Sequence, residues 1–235
     1  MDRLILDNIP FHVEEQALIE LLRIPAGSRM AEQFSMLFRQ ACGIAAPKAT
    51  YIVSEACLLA QDRVAIGGVH LHGRLLCGNL DKSGKVFPFV ATCGAELEAW
   101  SSGIRNTMHA FWADGIMFTA LGCAVSYLEA DLRAKTGSGE LSCMNPGSLP
   151  EWPLSEQAHI FALLGESAAT VGVRLMENMS MRPLKSISGI YFMSEKGFCN
   201  CELCLRERCI TRRASYNAGQ RMSHNKGMSP YANEP

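Results

Sequence analysis

Residues 108–135 read MHAFWADGIMFTALGCAVSYLEADLRAK, and this stretch decides the fold class. It contains no proline, and its middle, Ile116 to Leu128, is almost wholly apolar between Asp114 and Glu129. A helix that is apolar nearly all round belongs in a protein interior. The pattern predicts one helix over 107–135, about 43 Å long at 1.5 Å per residue. Gly115 and Gly122 weaken it locally and let neighbours pack close. The apolar run is well short of the roughly 20 residues that cross a bilayer. The helix is therefore read as the central packing element of a globular chain.

Shorter elements flank it. Val13, Ala17, Leu18, Leu21 and Leu22 recur at helical spacing and predict a helix over 13–24, stopped by Pro25. Ser28 caps a second helix through Cys42, with Met30, Phe34, Leu37, Phe38 and Ala41 on one face. No strand is expected before these two. Thr50–Val53 reads as a short strand, 69–76 as an extended segment broken by glycines, and Val86–Thr92 as a buried strand. A short helix follows from Ala95 to Trp100. Beyond the long helix, Thr136–Pro153 is rich in Gly, Ser, Asn and Pro and reads as one long loop. Ser155 caps a helix through Leu164, and 171–175 and 185–192 read as strands.

Composition narrows the function. The chain has 235 residues, 48% hydrophobic and 19% charged, with a formal net charge of -1. It is long enough for one large domain or two small ones. The near-neutral balance argues against a nucleic-acid partner, which calls for a basic face. The start, Met1–Asp7, has no basic region leading into an apolar run of signal-peptide length. A cytoplasmic protein without a membrane partner is the expectation, and thiols stay reduced there. Ten cysteines then call for packing, metal ligation or redox chemistry.

Four of them, Cys199, Cys201, Cys204 and Cys209, form a C-x-C-x2-C-x4-C run. Four thiolates this close suit a tetrahedral zinc or an iron–sulfur cluster, and they are the candidate metal ligands. Free reduced thiols are the alternative. Arg206, Arg208, Arg212 and Arg213 surround the run, and positive charge lowers nearby thiol pKa values. Of the rest, Cys42, Cys57, Cys77 and Cys123 read as small packing residues. Cys93 ends a strand. His70 and His72 fall on one face of an extended segment.

Residues 144–192, MNPGSLPEWPLSEQAHIFALLGESAATVGVRLMENMSMRPLKSISGIYF, carry a resemblance. The Pro146-Gly147 loop, the Trp152-Pro153 pair before a helix ending Leu163-Leu164, Gly172–Glu177 and Ser186–Gly189 together resemble the activation (reactivation) domain of cobalamin-dependent methionine synthase. The helix through Asp114, Leu121, Tyr127 and Leu128 is similar to that family's long helix. The similarity runs from about residue 85 to 193, as in a stand-alone form of the domain with a Cys-rich C-terminus.

The resemblance implies an α/β (α+β) fold, with a bent, largely antiparallel sheet and flanking helices. It divides the chain into an activation-domain-like part over 1–198 (its 1–48 helical), a Cys-rich segment over 199–213 and a flexible tail over 214–235. It implies work on the cobalamin of a partner, a corrinoid-binding protein or methyltransferase, with S-adenosylmethionine as the methyl source. The cofactor-binding positions it carries over are Asn145, Pro146, Gly147, Ser148 and Tyr191. The family's loop has an arginine and a tyrosine where this chain has Cys143 and Ser148. Its tyrosine pair after the last strand falls near Phe198-Cys199. Three readings stand side by side: an accessory in corrinoid methyl transfer, an iron–sulfur oxidoreductase, and a zinc-stabilised binding module.

Overall fold

The computed structural model describes residues 2–80, 84–136, 139–194, 197–207, 209 and 212–218. Its elements begin with β1 (Asp2–Leu6), α1 (Glu15–Leu21), α2 (Arg29–Ile44), β2 (Lys48–Ala60), β3 (Arg63–Ile66) and β4 (Val69–His72). Next come α3 (Arg74–Leu80), β5 (Lys85–Thr92), α4 (Ala95–Ser102), α5 (Thr107–Thr136) and β6 (Glu140–Met144). A 3-10 turn (Leu154–Glu156) leads into α6 (Gln157–Leu164) and α7 (Glu166–Thr170), and β7 (Arg174–Leu175), β8 (Met181–Arg182), β9 (Ser186–Ser194) and α8 (Asn200–Leu203) complete the order. One sheet runs β4-β3-β2-β5-β9-β6 with β1 against β2, and β7 and β8 form a separate ladder. The β2–β3, β3–β4, β6–β9 and β7–β8 pairs are antiparallel. Helices with a largely antiparallel sheet are the expected fold class.

The chain forms two compact units. The first comprises Met1–Ile52, Phe89–Gly137 and Leu164–Ser188, and the second Val53–Pro88, Ser138–Leu163 and Gly189–Pro235.

In the first unit α5 is the packing centre. Trp112, Ile116, Met117 and Ala120 of α5 share one buried cluster with Phe34, Leu37, Phe38 and Ala41 of α2 and Leu97 of α4. The Trp112 ring meets Phe34 edge-on at 5.9 Å, a favourable aromatic geometry. Gly115 lets Leu22 pack close, since a Cβ would lie 2.7 Å from Leu22 Cδ2 and displace that side chain. Gly122 has open space instead, so only one of the two glycines serves close packing. Nor is α5 buried all round: Met108, Phe111 and Tyr127 are exposed. By length and composition α5 would suffice to cross a membrane, a property that core helices share. At one end of α5, Tyr51 Oη donates to Asp131 Oδ2 at 2.6 Å and accepts from Lys135 Nζ at 3.0 Å. α2 begins as expected, with Ser28 Oγ accepting from Ala31 N at 3.2 Å.

The structure corrects several sequence expectations. A strand, β1, precedes both N-terminal helices. It is a short edge strand with Leu4 and Leu6 turned inward and Ile5 exposed, a period too brief to read. The helix expected over 13–24 shortens to α1. The 69–76 segment is β4 followed by α3. Its glycines punctuate rather than extend it: Gly73 N–H donates to Asp62 O at 2.9 Å, and a Cβ there would stand 2.9 Å from Trp152 Cδ1. The 136–153 loop contains β6. The strand expected over 171–175 reduces to β7, because Val171 caps α7 and Gly172 has φ +79°. Pro88 lies in β5, interior to the sheet, where it supplies no N–H to the ladder. Of the tail expected over 214–235, residues 219–235 lie outside the described residues.

Candidate functional site

The site sits in the second unit, where β6 ends. Along Glu140–Met144 burial alternates, with Ser142 and Met144 buried. β6 lies antiparallel to β9, setting Cys143 opposite Tyr191 and Met144 opposite Ile190. The chain then turns sharply. Ser148 N–H donates to Asn145 O at 3.2 Å, Gly147 N–H to Trp152 O at 2.8 Å and Trp152 N–H to Leu149 O at 3.2 Å. Gly147 has φ +78°, and a Cβ there would meet Leu154 Cδ1 at 3.0 Å. Conformation and space both require glycine. Pro146 is buried beneath this turn, while Gly147 and Ser148 are exposed.

The chain returning from β9 packs along the other side of β6. Cys143 and Cys199 form an isolated parallel bridge. Phe198 N–H donates to Ser142 Oγ at 2.7 Å, and that hydroxyl lies 2.8 Å from Ser194 Oγ. Asn200 Nδ2 donates to Asn145 Oδ1 at 3.2 Å, with Cys143 Sγ 3.7 Å from the same oxygen. The structure thus brings Asn145, Pro146, Gly147 and Ser148 together with Cys143, Cys199 and Asn200. Tyr191 is Cys143's register partner, but at 2% exposure it lies in the interior. Ser142, Ser194 and Asn200 were not singled out from sequence. They act across separations of about fifty residues, and no local spacing marks them.

The four clustered cysteines are placed differently from a metal centre. Among the described residues, no three His, Cys, Asp or Glu side chains gather to hold a metal ion, so Cys199, Cys201, Cys204 and Cys209 do not converge on one point. The segment instead folds around a guanidinium. Arg212 Nη1 donates to Cys201 O at 2.8 Å and Ala214 O at 3.2 Å. Its Nη2 donates to Cys204 O at 3.2 Å and to Arg206 O. Arg213 N–H points at Cys201 Sγ, 3.4 Å away. Cys199 and Cys201 adjoin. Burial pushes the Cys199 thiol up, a hydrogen bond from the Cys201 backbone opposes this, and the neighbouring Cys201 thiol and Glu202 push it further up.

The other cysteines divide by burial. Cys93 is fully enclosed, and burial, with Glu98 nearby, pushes its thiol up to about 12. Burial and Asp62 push Cys77 up to about 11. Burial also raises Cys123. Cys42 and Cys57 are exposed, so they are not the packing residues expected from sequence. A strand-end role in chemistry for Cys93 is closed off by its burial.

His70 and His72 are both exposed on β4, opposite Ala65 and Arg63. The backbone N–H of His72 donates to Glu156 Oε2 at 2.8 Å, and His159 Nδ1 lies 3.3 Å from that carboxylate oxygen. Glu156 is a buried carboxylate that sequence reading passed over, since its partner lies 84 residues away.

No protein-family profile matches the chain, and no curated protein does. Solved structures do match. The architecture belongs to the class of mixed domains in which helices flank a largely antiparallel sheet. The particular similarity is to the crystal structure of the MetH reactivation domain bound to AdoHcy, with a TM-score of 0.60 and 16% identity over 85% of this chain and 80% of that one. At this identity the likeness establishes the fold.

Proposed function

We propose that this chain serves in the reactivation or maintenance of a corrinoid-dependent methyltransferase, acting in the cytoplasm on the cobalamin of a partner corrinoid protein. The observation that carries this reading is the fold likeness over 85% of the chain to a reactivation domain whose structure holds AdoHcy. The turn at Asn145–Ser148 supports it. That turn has its glycine at the position the resemblance assigns, and its exposed end, Gly147 and Ser148, is open to a ligand. A thiol at Cys143 cannot fork a carboxylate as an arginine does. Losing one charge-assisted bond costs about 1.5–3 kcal/mol, so adenosylmethionine binding roughly ten- to a hundred-fold weaker than with arginine is expected.

The test is anaerobic. A corrinoid methyltransferase is poised as cob(II)alamin with a reductant and S-adenosylmethionine, and methylcobalamin is followed by absorbance with and without this chain. Faster return of the methylated cofactor is the expected result, and no acceleration with any corrinoid partner would sink the reading. The zinc and iron–sulfur readings draw no support from the arrangement of Cys199, Cys201, Cys204 and Cys209. Metal analysis of anaerobically purified protein checks them directly.

A further inference from the structure

The parallel bridge between Cys143 and Cys199 has a chemical consequence. Neighbouring strands lie about 4.8 Å apart, within the roughly 4.4–6.8 Å range of Cα separations that a disulfide spans. Partners in a parallel bridge also direct their side chains to the same face. Both residues are half-buried, so a small reagent reaches them, unlike Cys77 and Cys93. The surroundings hold the pair in place from both strands: Phe198 N–H on Ser142 Oγ just before it, and Asn200 Nδ2 on Asn145 Oδ1 just after it.

We propose that Cys143 and Cys199 form a reversible dithiol–disulfide couple that exchanges with low-molecular-weight disulfides of the glutathione class. One thiolate of the pair attacks a sulfur of the incoming disulfide, forming a mixed disulfide and releasing one thiolate, which takes up the displaced proton. The second cysteine attacks the protein sulfur of that mixed disulfide and expels the other thiol. Two electrons pass from the protein dithiol to the reagent, one S–S bond breaks and one forms, and two small thiols leave. Excess small thiol drives the same steps backwards. The link would tie the start of the Asn145–Ser148 turn to the segment after β9 and make the oxidation state of the thiols a property of the turn's rigidity. It rests on backbone register and stands apart from the corrinoid reading.

The experiment incubates the folded, reduced protein with oxidised and reduced glutathione at set ratios. Free thiols are quenched with an alkylating agent, and peptides are mapped by mass spectrometry without reduction. A Cys143–Cys199 cross-link is expected, approaching one per chain as the oxidised fraction rises and reversing with excess reduced glutathione. Exposed Cys57 carries glutathione only. In Cys143→Ser/Cys201→Ser, Cys199 is expected to stop at the mixed disulfide. In Cys201→Ser the cross-link is expected to persist. A dominant Cys199–Cys201 link in the unaltered chain would overturn the proposal. So would glutathione adducts at Cys143 and Cys199 without a cross-link, inert thiols, or loss of the link in Cys201→Ser.

Discussion

Ser142→Ala tests how the segment after β9 is held against β6. The Ser142 hydroxyl is buried. It accepts from Phe198 N–H at 2.7 Å and shares a hydrogen bond with Ser194 Oγ at 2.8 Å. Each such bond contributes about 1 kcal/mol net. Alanine removes both and leaves Phe198 N–H without that acceptor, so docking of the segment weakens by about 2 kcal/mol. That is roughly a thirty-fold change in its local opening equilibrium. Ser194→Ala is the graded control, since it removes only the bond between the two hydroxyls and keeps the acceptor for Phe198. A loss of about 1 kcal/mol, or roughly five-fold, is expected there.

Hydrogen exchange reads both changes at the residue that matters. The Phe198 amide should lose protection in the order Ser142→Ala, then Ser194→Ala, then the unaltered chain. Amides in the middle of α5 should keep theirs, because local opening is measured separately from global unfolding. If Phe198 exchanged equally slowly in Ser142→Ala and the unaltered protein, the buried hydroxyl would not be what anchors the segment. If Ser194→Ala cost as much as Ser142→Ala, the division of the two bonds would be wrong.

Cys93 gives a pH prediction. Its thiol sits near 9.0 in an unstructured chain and at about 12 in the fold. Between those values the unfolded chain gives up a proton that the folded one keeps, so stability present below pH 9 falls as pH rises. Urea unfolding from pH 8 to 10.5 should show that decline, shallower in Cys93→Ala; an identical slope in the variant counts against the assignment. Arg212→Lys should loosen the Cys-rich segment nearly as much as Arg212→Ala, because a single ammonium cannot span the four carbonyls the guanidinium holds. Limited proteolysis after residue 203 reports it, and rescue by lysine would refute it. Gly94→Ala places a Cβ 2.4 Å from Ala46 O at φ +96°. It should cost about 3 kcal/mol and lower Tm by roughly 6–12 °C, measured by thermal unfolding.

Sequence was most legible where one element carries its own period. α2, with its Ser28 cap and its row of Phe34, Leu37, Phe38 and Ala41, is readable residue by residue. α5 is legible as a helix from its long proline-free run, though not in which of its faces is buried. β6 was hidden for the opposite reason. Five residues give little period, and the polar member on its buried side, Ser142, looks like a loop residue until Ser194 and Phe198 are seen to pair with it. The same distance effect hid Glu156, which no spacing connects to His72. The four-cysteine run is local in sequence and less so in space. Close spacing in sequence suggested a shared ion, whereas the backbone turns around Arg212, and Cys199 pairs through its backbone with Cys143, far outside the run.

That last point bears on how little the turn after β6 depends on the side chains at 143 and 148. The turn after β6 is set by Gly147 N–H on Trp152 O, by Ser148 N–H on Asn145 O and by the positive φ of Gly147 packed on Leu154. None of these contacts uses the side chain at position 143 or 148. The strand before the turn is fixed by backbone pairing of Cys143 with Tyr191 and by the Ser142 hydroxyl, again without the Cys143 side chain. The side chains at those two positions can therefore change without disturbing what holds the turn. Scaffold and chemistry are separable at this site, because the backbone supplies the one and two side chains the other. The cysteine at 143 keeps its backbone place in the strand and in the bridge to Cys199, and its thiol lies by Asn145 Oδ1 at 3.7 Å.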